Sequence, residues 1–224
     1  AAAFNRAYFA FENPALADRL APYTLITEEE HSGAGYDVSV PLTGDAAAQV
    51  LEALSFSAQN HAPVSAGEVY LDGADRLVIS DGGLVTFRAA QGERYPVGLT
   101  LTDGVDGALA EAALGARCGE ARLYLMSARE EAEGICIRFG YLLEGSAVHL
   151  GSEGWAAEFV VRDGYIVQFT LRFRSYAANG ERTLLLPIDK AASMLPDLTS
   201  RRRELVVRYR DAGGTGLAPG WVAV

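Results

Sequence analysis

Tyr165-Ile166-Val167-Gln168-Phe169-Thr170-Leu171-Arg172-Phe173-Arg174-Ser175-Tyr176 is the stretch that decides the fold class. Its odd positions carry Tyr165, Val167, Phe169, Leu171 and Phe173, and its even positions include Gln168, Thr170, Arg172 and Arg174. Successive side chains of a strand point to opposite faces, so this period of two predicts one long strand with a dry face and a wet face. Half-solvated alternation implies antiparallel pairing, because the strands of buried parallel sheets are apolar on both faces. Ile135–Leu143, Trp155–Val161 and Leu205–Arg210 alternate in a similar way.

Turn chemistry surrounds these runs. Asp72-Gly73, Asp81-Gly82, Asp103-Gly104, Asp163-Gly164 and Asn179-Gly180 each supply the positive φ that tight hairpins need, and all five are expected to be hairpin corners. Helical signals are fewer. Thr43 is placed to cap a segment through Ala58 with Val50, Leu51 and Leu54 on one stripe, and Asn13-Pro14 opens a short helix. Asp106 is placed to cap Gly107–Leu114, and Pro187 to open Ile188–Leu195, with Pro196 ending it. Helices that interrupt runs of strands, without alternating strictly with them, predict an α+β fold of antiparallel sheet with helices packed on one face.

The chain echoes itself. Val78-Ile79-Ser80-Asp81-Gly82-Gly83-Leu84-Val85-Thr86-Phe87 aligns with Val160-Val161-Arg162-Asp163-Gly164-Tyr165-Ile166-Val167-Gln168-Phe169, with valine, Asp-Gly, valine and phenylalanine at equal offsets. Upstream, Tyr70–Gly73 is echoed by Tyr141–Gly145; downstream, Gly92-Glu93-Arg94 is echoed by Gly180-Glu181-Arg182. The expectation is two related subdomains, residues 1–117 and 118–224, with a boundary near Gly115–Glu120.

Composition narrows the function more by exclusion than by pointing. The 224 residues are 50% hydrophobic and 21% charged, the mix of a soluble globular chain and not of a disordered or collagenous one. Nineteen basic against 29 acidic side chains give a net charge of −10, which repels phosphate backbones, so no nucleic-acid partner is expected. Lys190 is the single lysine, a bias we read as that of a GC-rich genome. The two cysteines, Cys118 and Cys136, are too few for a disulfide scaffold, and Cys136 alternates within an apolar run as a buried small hydrophobe. No stretch has the 18 or so apolar residues of a membrane-spanning helix. The start, Ala1-Ala2-Ala3, lacks an initiator methionine, so an anchor or signal removed upstream is expected to be the membrane connection.

The motif search yields no G-x-S-x-G elbow, no phosphate-cradling G-x-x-x-x-G-K loop and no zinc spacing. His31, His61 and His149 are far apart in sequence, without a Ser/Asp constellation. Glu28-Glu29-Glu30, Glu130-Glu131-Glu133 and Arg201-Arg202-Arg203 read as solvated faces, and Gly214-Thr215-Gly216 as a hairpin loop. Catalytic, cofactor-binding and metal-ligating residues are therefore all expected to be none. The candidate contact surface is Arg172, Arg174 and Tyr176, a guanidinium–phenol row on the wet face of the long strand that could meet a protein partner. Trp155 and Trp221 are expected to begin strands and to pack with the indole N–H near water.

The order of segments in the second half carries a resemblance. Ile137–Val148, Glu158–Ile166, the strand to Tyr176, the bridge Pro187–Ala192 and the closing pair Leu205–Tyr209 and Pro219–Val222 follow one another much as in the C-terminal domain of the YycH/YycI regulatory proteins of Gram-positive bacteria. The helix-plus-hairpin unit and closing Pro-x-Trp also resemble PepSY-type domains. The resemblance spans about Ile135–Val224 and reaches the first half only through the internal echo. It implies a non-enzymatic, extracytoplasmic domain, tethered by an N-terminal helix or secreted, that modulates an envelope sensor histidine kinase of a two-component system. The alternative it implies is a secreted module inhibiting a protease or cell-wall hydrolase. A homodimer through strand edges is a further possibility.

Overall fold

The computed structural model describes residues 7–17, 19–27, 31–91, 93–97, 105–194 and 204–224. Asp103-Gly104, Glu28-Glu29-Glu30, Arg201-Arg202-Arg203 and the Leu195-Pro196 stop lie outside them. The fold is mixed α+β and mostly sheet.

In chain order the elements are β1 (Tyr8–Phe9), α1 (Pro14–Ala17), β2 (Leu25–Ile26), β3 (His31–Ser39), α2 (Asp45–Ala53), β4 (His61–Val64), β5 (Gly67–Asp72), β6 (Asp75–Ser80) and β7 (Leu84–Arg88). Then follow α3 (Val105–Ala113), β8 (Arg122–Glu131), β9 (Gly134–Leu143), β10 (Ser146–Leu150), β11 (Ala157–Arg162) and β12 (Tyr165–Arg172). The chain closes with β13 (Ser175–Leu185), α4 (Ile188–Ser193), β14 (Leu205–Asp211), β15 (Gly216–Leu217) and β16 (Pro219–Ala223).

Eleven strands form one sheet in the order β16-β14-β10-β9-β11-β12-β7-β6-β5-β4, with β8 also paired to β9. Every pair in it is antiparallel except β10 with β14. A smaller sheet, β13-β3-β15, and a short ribbon, β1-β2, complete the strands. The dry face of the large sheet carries Leu77, Ile79, Val85, Phe87, Ile137, Phe159, Phe169 and Leu171, and these join Val50, Leu51 and Leu54 of α2, Ala110 and Ala113 of α3, and Tyr36 and Val38 of β3 in one core. A second cluster gathers Leu16, Leu20, Ile26, Ile188, Ala192 and Leu205 near the first and last segments.

The two echoing segments meet. β7 and β12 pair antiparallel with Phe87 directly opposite Phe169, and Arg88–Gln168 and Thr86–Thr170 flank that pair. The Phe87 and Phe169 rings stack with centroids 4.9 Å apart. Because these two phenylalanines occupy the same place in the internal echo, the pairing is arranged about a local two-fold at that point. The large sheet thus runs unbroken through both halves of the chain.

Several local expectations are corrected. The strand read as Tyr165–Tyr176 ends at Arg172, and Ser175 starts a new strand that pairs with β3 in the small sheet. Its alternation is also broken early, since β11 and β12 slip register between Val160 and Val161, leaving Val167 as the extra residue of a bulge. Ile166 is buried in consequence, while Tyr165 and Val167 are only half-buried. Asn179-Gly180 is no corner: it lies inside β13, where residues 179–181 bulge out opposite Gly35. α2 starts at Asp45 with Gly44 at its cap position and ends at Ala53, so Thr43 makes no side-chain cap and the helix stops short of Ala58. Asp106 falls inside α3 and does not precede it. β11 begins at Ala157, two residues after Trp155, and Trp221 sits mid-strand in β16 with its Nε1–H donated to the Leu186 carbonyl at 2.8 Å.

Other expectations match. Asp163-Gly164 closes β11–β12 with φ of 52° and 82°, a two-residue turn of the type whose twist suits a hairpin. Asp72-Gly73 turns β5 into β6, and Asp81-Gly82 lies in the loop from β6 to β7. Pro187 opens α4, and the Asn13 side chain accepts the Ala15 N–H at the start of α1.

Candidate functional site

The three candidate contact residues come together, though not as an open row. Where the chain leaves the large sheet at Phe173, it contacts the start of β7 through Gly83 and the end of β14 through Asp211. The Arg172 N–H is donated to the Ala156 carbonyl at 2.7 Å, and the Phe173 N–H to the Gly83 carbonyl at 2.8 Å. The switch of sheets turns Tyr176 inward. Its ring is fully buried against Tyr141, and its hydroxyl donates to Asp211 Oδ2 at 3.0 Å. The phenol of Tyr176 is thus internal structure and not offered to a partner.

Asp211 is the buried charge of the region, 3% exposed at the end of β14. Arg174 Nε lies 3.2 Å from its Oδ2, close enough to pair as ions without being aligned as a hydrogen bond, and the Gly213 N–H donates to Oδ1 at 2.8 Å. A buried carboxylate needs such compensation, and two donors and a guanidinium provide it. The Tyr176 phenol is pushed well above its ordinary pKa, chiefly by burial and then by the Asp211 charge, so it stays a neutral donor. Tyr141, also raised by burial, donates its hydroxyl to the Arg172 carbonyl at 3.0 Å and so fixes the backbone from which the next side chain projects.

Beside this buried network is a notch of about 140 Å³ lined by Gly82, Gly83, Gly213, Arg172, Arg174 and the Asp211 that Arg174 pairs with, among others. The two arginines differ. Arg174 is engaged by Asp211 and by the Gly82 and Phe173 carbonyls. Arg172 lies with its guanidinium carbon 4.6 Å from the centroid of the Trp155 ring, a cation–π arrangement, and its buried Nε has no hydrogen-bond partner. Among the described residues no carboxylate pairs with Arg172.

From the notch a strip runs along the outer face of the β7–β12 seam, through the cross-strand pairs Leu84–Arg172, Thr86–Thr170 and Arg88–Gln168. At its far end is a trough of about 380 Å³ lined by Arg76, Val78, Thr86, Arg88, Gln168 and Thr170. Here Arg76 and Arg88 are direct cross-strand partners. Like charges placed opposite one another destabilise a sheet, and the only side-chain relief among the described residues is an Arg88–Gln168 hydrogen bond at 3.4 Å. By contrast Arg138, on the same face, is bracketed by Glu158 at 2.6 Å and Glu131 at 3.1 Å. The pair Arg76–Arg88 was not legible in the sequence, because it depends on the β6–β7 register; the available signal was only that both sit at the wet positions of alternating strands.

A larger cleft, about 640 Å³, opens between α2 and the β5–β6 edge, lined by Thr43, Ala47, Leu51, Glu68, Tyr70 and Ser80 among others. Two of its polar groups are taken up: Tyr70 donates a short hydrogen bond to Glu68, and the same carboxylate is 3.5 Å from Nδ1 of His61, whose ring stacks on Tyr70 from β4. Burial, followed by the Glu68 hydrogen bond, pushes the Tyr70 phenol up to about 12.

The three histidines remain apart. His31 packs edge-on against Trp221, His61 starts β4 and stacks on Tyr70, and His149 lies in β10. Among the described residues no group of His, Cys, Asp and Glu gathers as a metal site, and no helix is long and apolar enough to cross a membrane. A scan of protein-family models matches none to this chain, and a search of the curated proteins finds no match either.

Proposed function

We propose that this chain is a non-enzymatic, extracytoplasmic regulatory domain that acts by binding a protein, and that its partner is an envelope sensor histidine kinase. The observation that carries the binding half is the outer face of the large sheet. On a chain of net charge −10, this face presents Arg76, Arg88 and Arg172 with no ion-pair partner among the described residues, the nearby carboxylates Glu158 and Asp211 being paired with Arg138 and Arg174. Two of those arginines are held opposite each other, an arrangement that costs the free protein stability and is relieved by an opposing charge from outside. The kinase as partner, and the connection to the membrane through an anchor, rest on the resemblance of Ile135–Val224 to the YycH/YycI proteins.

The test is affinity purification of the full-length protein from the membranes of its own host, followed by mass spectrometry. Enrichment of a sensor histidine kinase, and altered output of its response regulator on deletion of this gene, are the expected results. Enrichment of a protease or wall hydrolase, inhibited by the soluble domain alone, replaces this reading with the inhibitory one.

The chain also reads as two related units, residues 1–117 and 118–224. Three relations support this: the register that sets Phe87 opposite Phe169, a helix before each set of antiparallel strands, and the equivalent hairpins β4–β5 and β8–β9, each closed by two residues before a glycine of extreme backbone twist.

A further inference from the structure

We propose that the β7–β12 seam seats an acidic, extended segment of a protein partner, with one carboxylate on Arg172 in the notch and another between Arg76 and Arg88. The inference rests on the protein-binding reading, but not on the partner being a kinase. Arg172 is already arranged as an anion receptor. Its guanidinium is stacked on Trp155, its Nε is buried without an acceptor, and its backbone is held by Tyr141 and Ala156. A guanidinium so fixed loses little freedom when it grips a carboxylate with two parallel hydrogen bonds. Arg174 does not compete, since Asp211 holds it as a wall of the notch. At the other end, a carboxylate between Arg76 and Arg88 converts a repulsive pair into a bridged one.

The spacing selects the ligand's shape. Gln168, beside Arg88, and Arg172 lie on one face of β12 four residues apart, which at the rise of a strand is about 13 Å. An extended segment repeats its side-chain direction every second residue, so acidic residues at i and i+4 match the two ends of the seam. The middle, Thr86 and Thr170, offers hydroxyls to a polar residue at i+2.

The probe is a synthetic, dye-labelled octapeptide, blocked at both termini, with glutamates at the second and sixth positions, serine at the fourth, and threonine or glycine elsewhere. Binding is read by fluorescence anisotropy at low ionic strength. The expected result is saturable binding that weakens as salt rises, about tenfold or more for Arg172→Gln, with partial recovery for Arg172→Lys. The double variant Arg76→Gln, Arg88→Gln is expected to weaken binding comparably while leaving thermal stability equal to or above that of the parent, which separates lost binding from lost fold. Equal binding of a glutamine-substituted peptide, or unchanged affinity in both arginine variants, overturns the proposal. So does equal competition by short inorganic polyphosphate, which marks a site that reads charge alone. The two readings fail separately. A kinase recovered equally well with the Arg172→Gln protein leaves the regulator standing and removes the seam as its docking site. Arginine-dependent peptide binding with no kinase recovered does the reverse.

Discussion

Gly67 and Gly134 hold nearly the same unusual backbone twist, φ 137° and 133°, and each lies against the carbonyl oxygen of the strand beside it, Ile79 for the first and Val161 for the second. Ile79 and Val161 occupy the same place in the internal echo, and the two glycines each begin a strand after a two-residue turn. A Cβ would fall 2.0 Å from the Ile79 oxygen and 2.3 Å from the Val161 oxygen. Gly67→Ala and Gly134→Ala are each expected to cost about 2–4 kcal/mol, through strain at positive φ and displacement of the adjoining strand. Gly73, with φ 61° and open space where a Cβ would go, is the control. Gly73→Ala should cost only about 1 kcal/mol. Urea unfolding of the three variants checks this, and a mild effect at only one of Gly67 and Gly134 would break the equivalence.

The Phe87–Phe169 stack joins strands from the two halves of the chain, and both rings are essentially inaccessible. Either phenylalanine replaced by alanine is expected to cost about 3–5 kcal/mol in cavity and lost burial. A double-mutant cycle should return a coupling of about 0.5–1.5 kcal/mol for the ring pair. Since this pair links the two halves within one sheet and one core, unfolding should stay a single transition by fluorescence and by circular dichroism. Two separated transitions would mean that each half stands alone.

Much of this was readable where a residue's own chemistry decides its conformation. Asp163-Gly164 turns because both positions adopt positive φ, and Leu77, Ile79, Val85 and Phe87 alternate into the core as their spacing says. What escaped reading depends on partners distant in sequence. Val167 bulges because of the register with β11, which swaps Ile166 into the core. Asn179-Gly180 supplies positive φ as read, but the continuing pairing of β13 with β3 turns that into a bulge. Tyr176 looked wet by counting from Tyr165, and it is buried because the chain changes sheets after Arg172. The site shows the same divide: Arg172 and Arg174 were visible in one strand, whereas Arg76, Trp155 and Asp211 joined them only through pairing and packing.

Cys118 and Cys136 are free and buried. Burial raises both thiol pKa values, and the Cys118 Sγ–H is committed to the Ala121 and Gly115 carbonyls at 2.9 and 3.2 Å. The thiolate is the reactive form, so a neutral aromatic disulfide reagent should label neither residue quickly in the folded protein at mildly alkaline pH. Two thiols should react promptly in denaturant. Labelling of Cys136 at a free-thiol rate would mean that the sheet opens readily around β9, where Cys136 lies between Val160 of β11 and Arg129 of β8.

Tyrosine titration gives the sharpest test of the buried network. Burial is the leading cause of a raised phenol pKa at Tyr70, to about 12, and of further increases at Tyr141, Tyr176 and Tyr209. Below pH 10 the folded and unfolded chains both keep these protons, so the groups add no pH dependence. Above it the unfolded chain releases protons that the folded chain retains, and stability falls as pH rises from about 10 through the folded-state values. Unfolding followed by circular dichroism from pH 8 to 12 should therefore show a steep loss above pH 10, with most phenolate absorbance emerging together with unfolding. Tyr176→Phe takes one donor from the buried Asp211 carboxylate, at a cost of about 1–3 kcal/mol near neutral pH, and removes one retained proton from the alkaline slope. A shallower alkaline loss on a less stable protein is the expected signature. An unchanged slope would mean that the Tyr176 phenol titrates freely in the folded state.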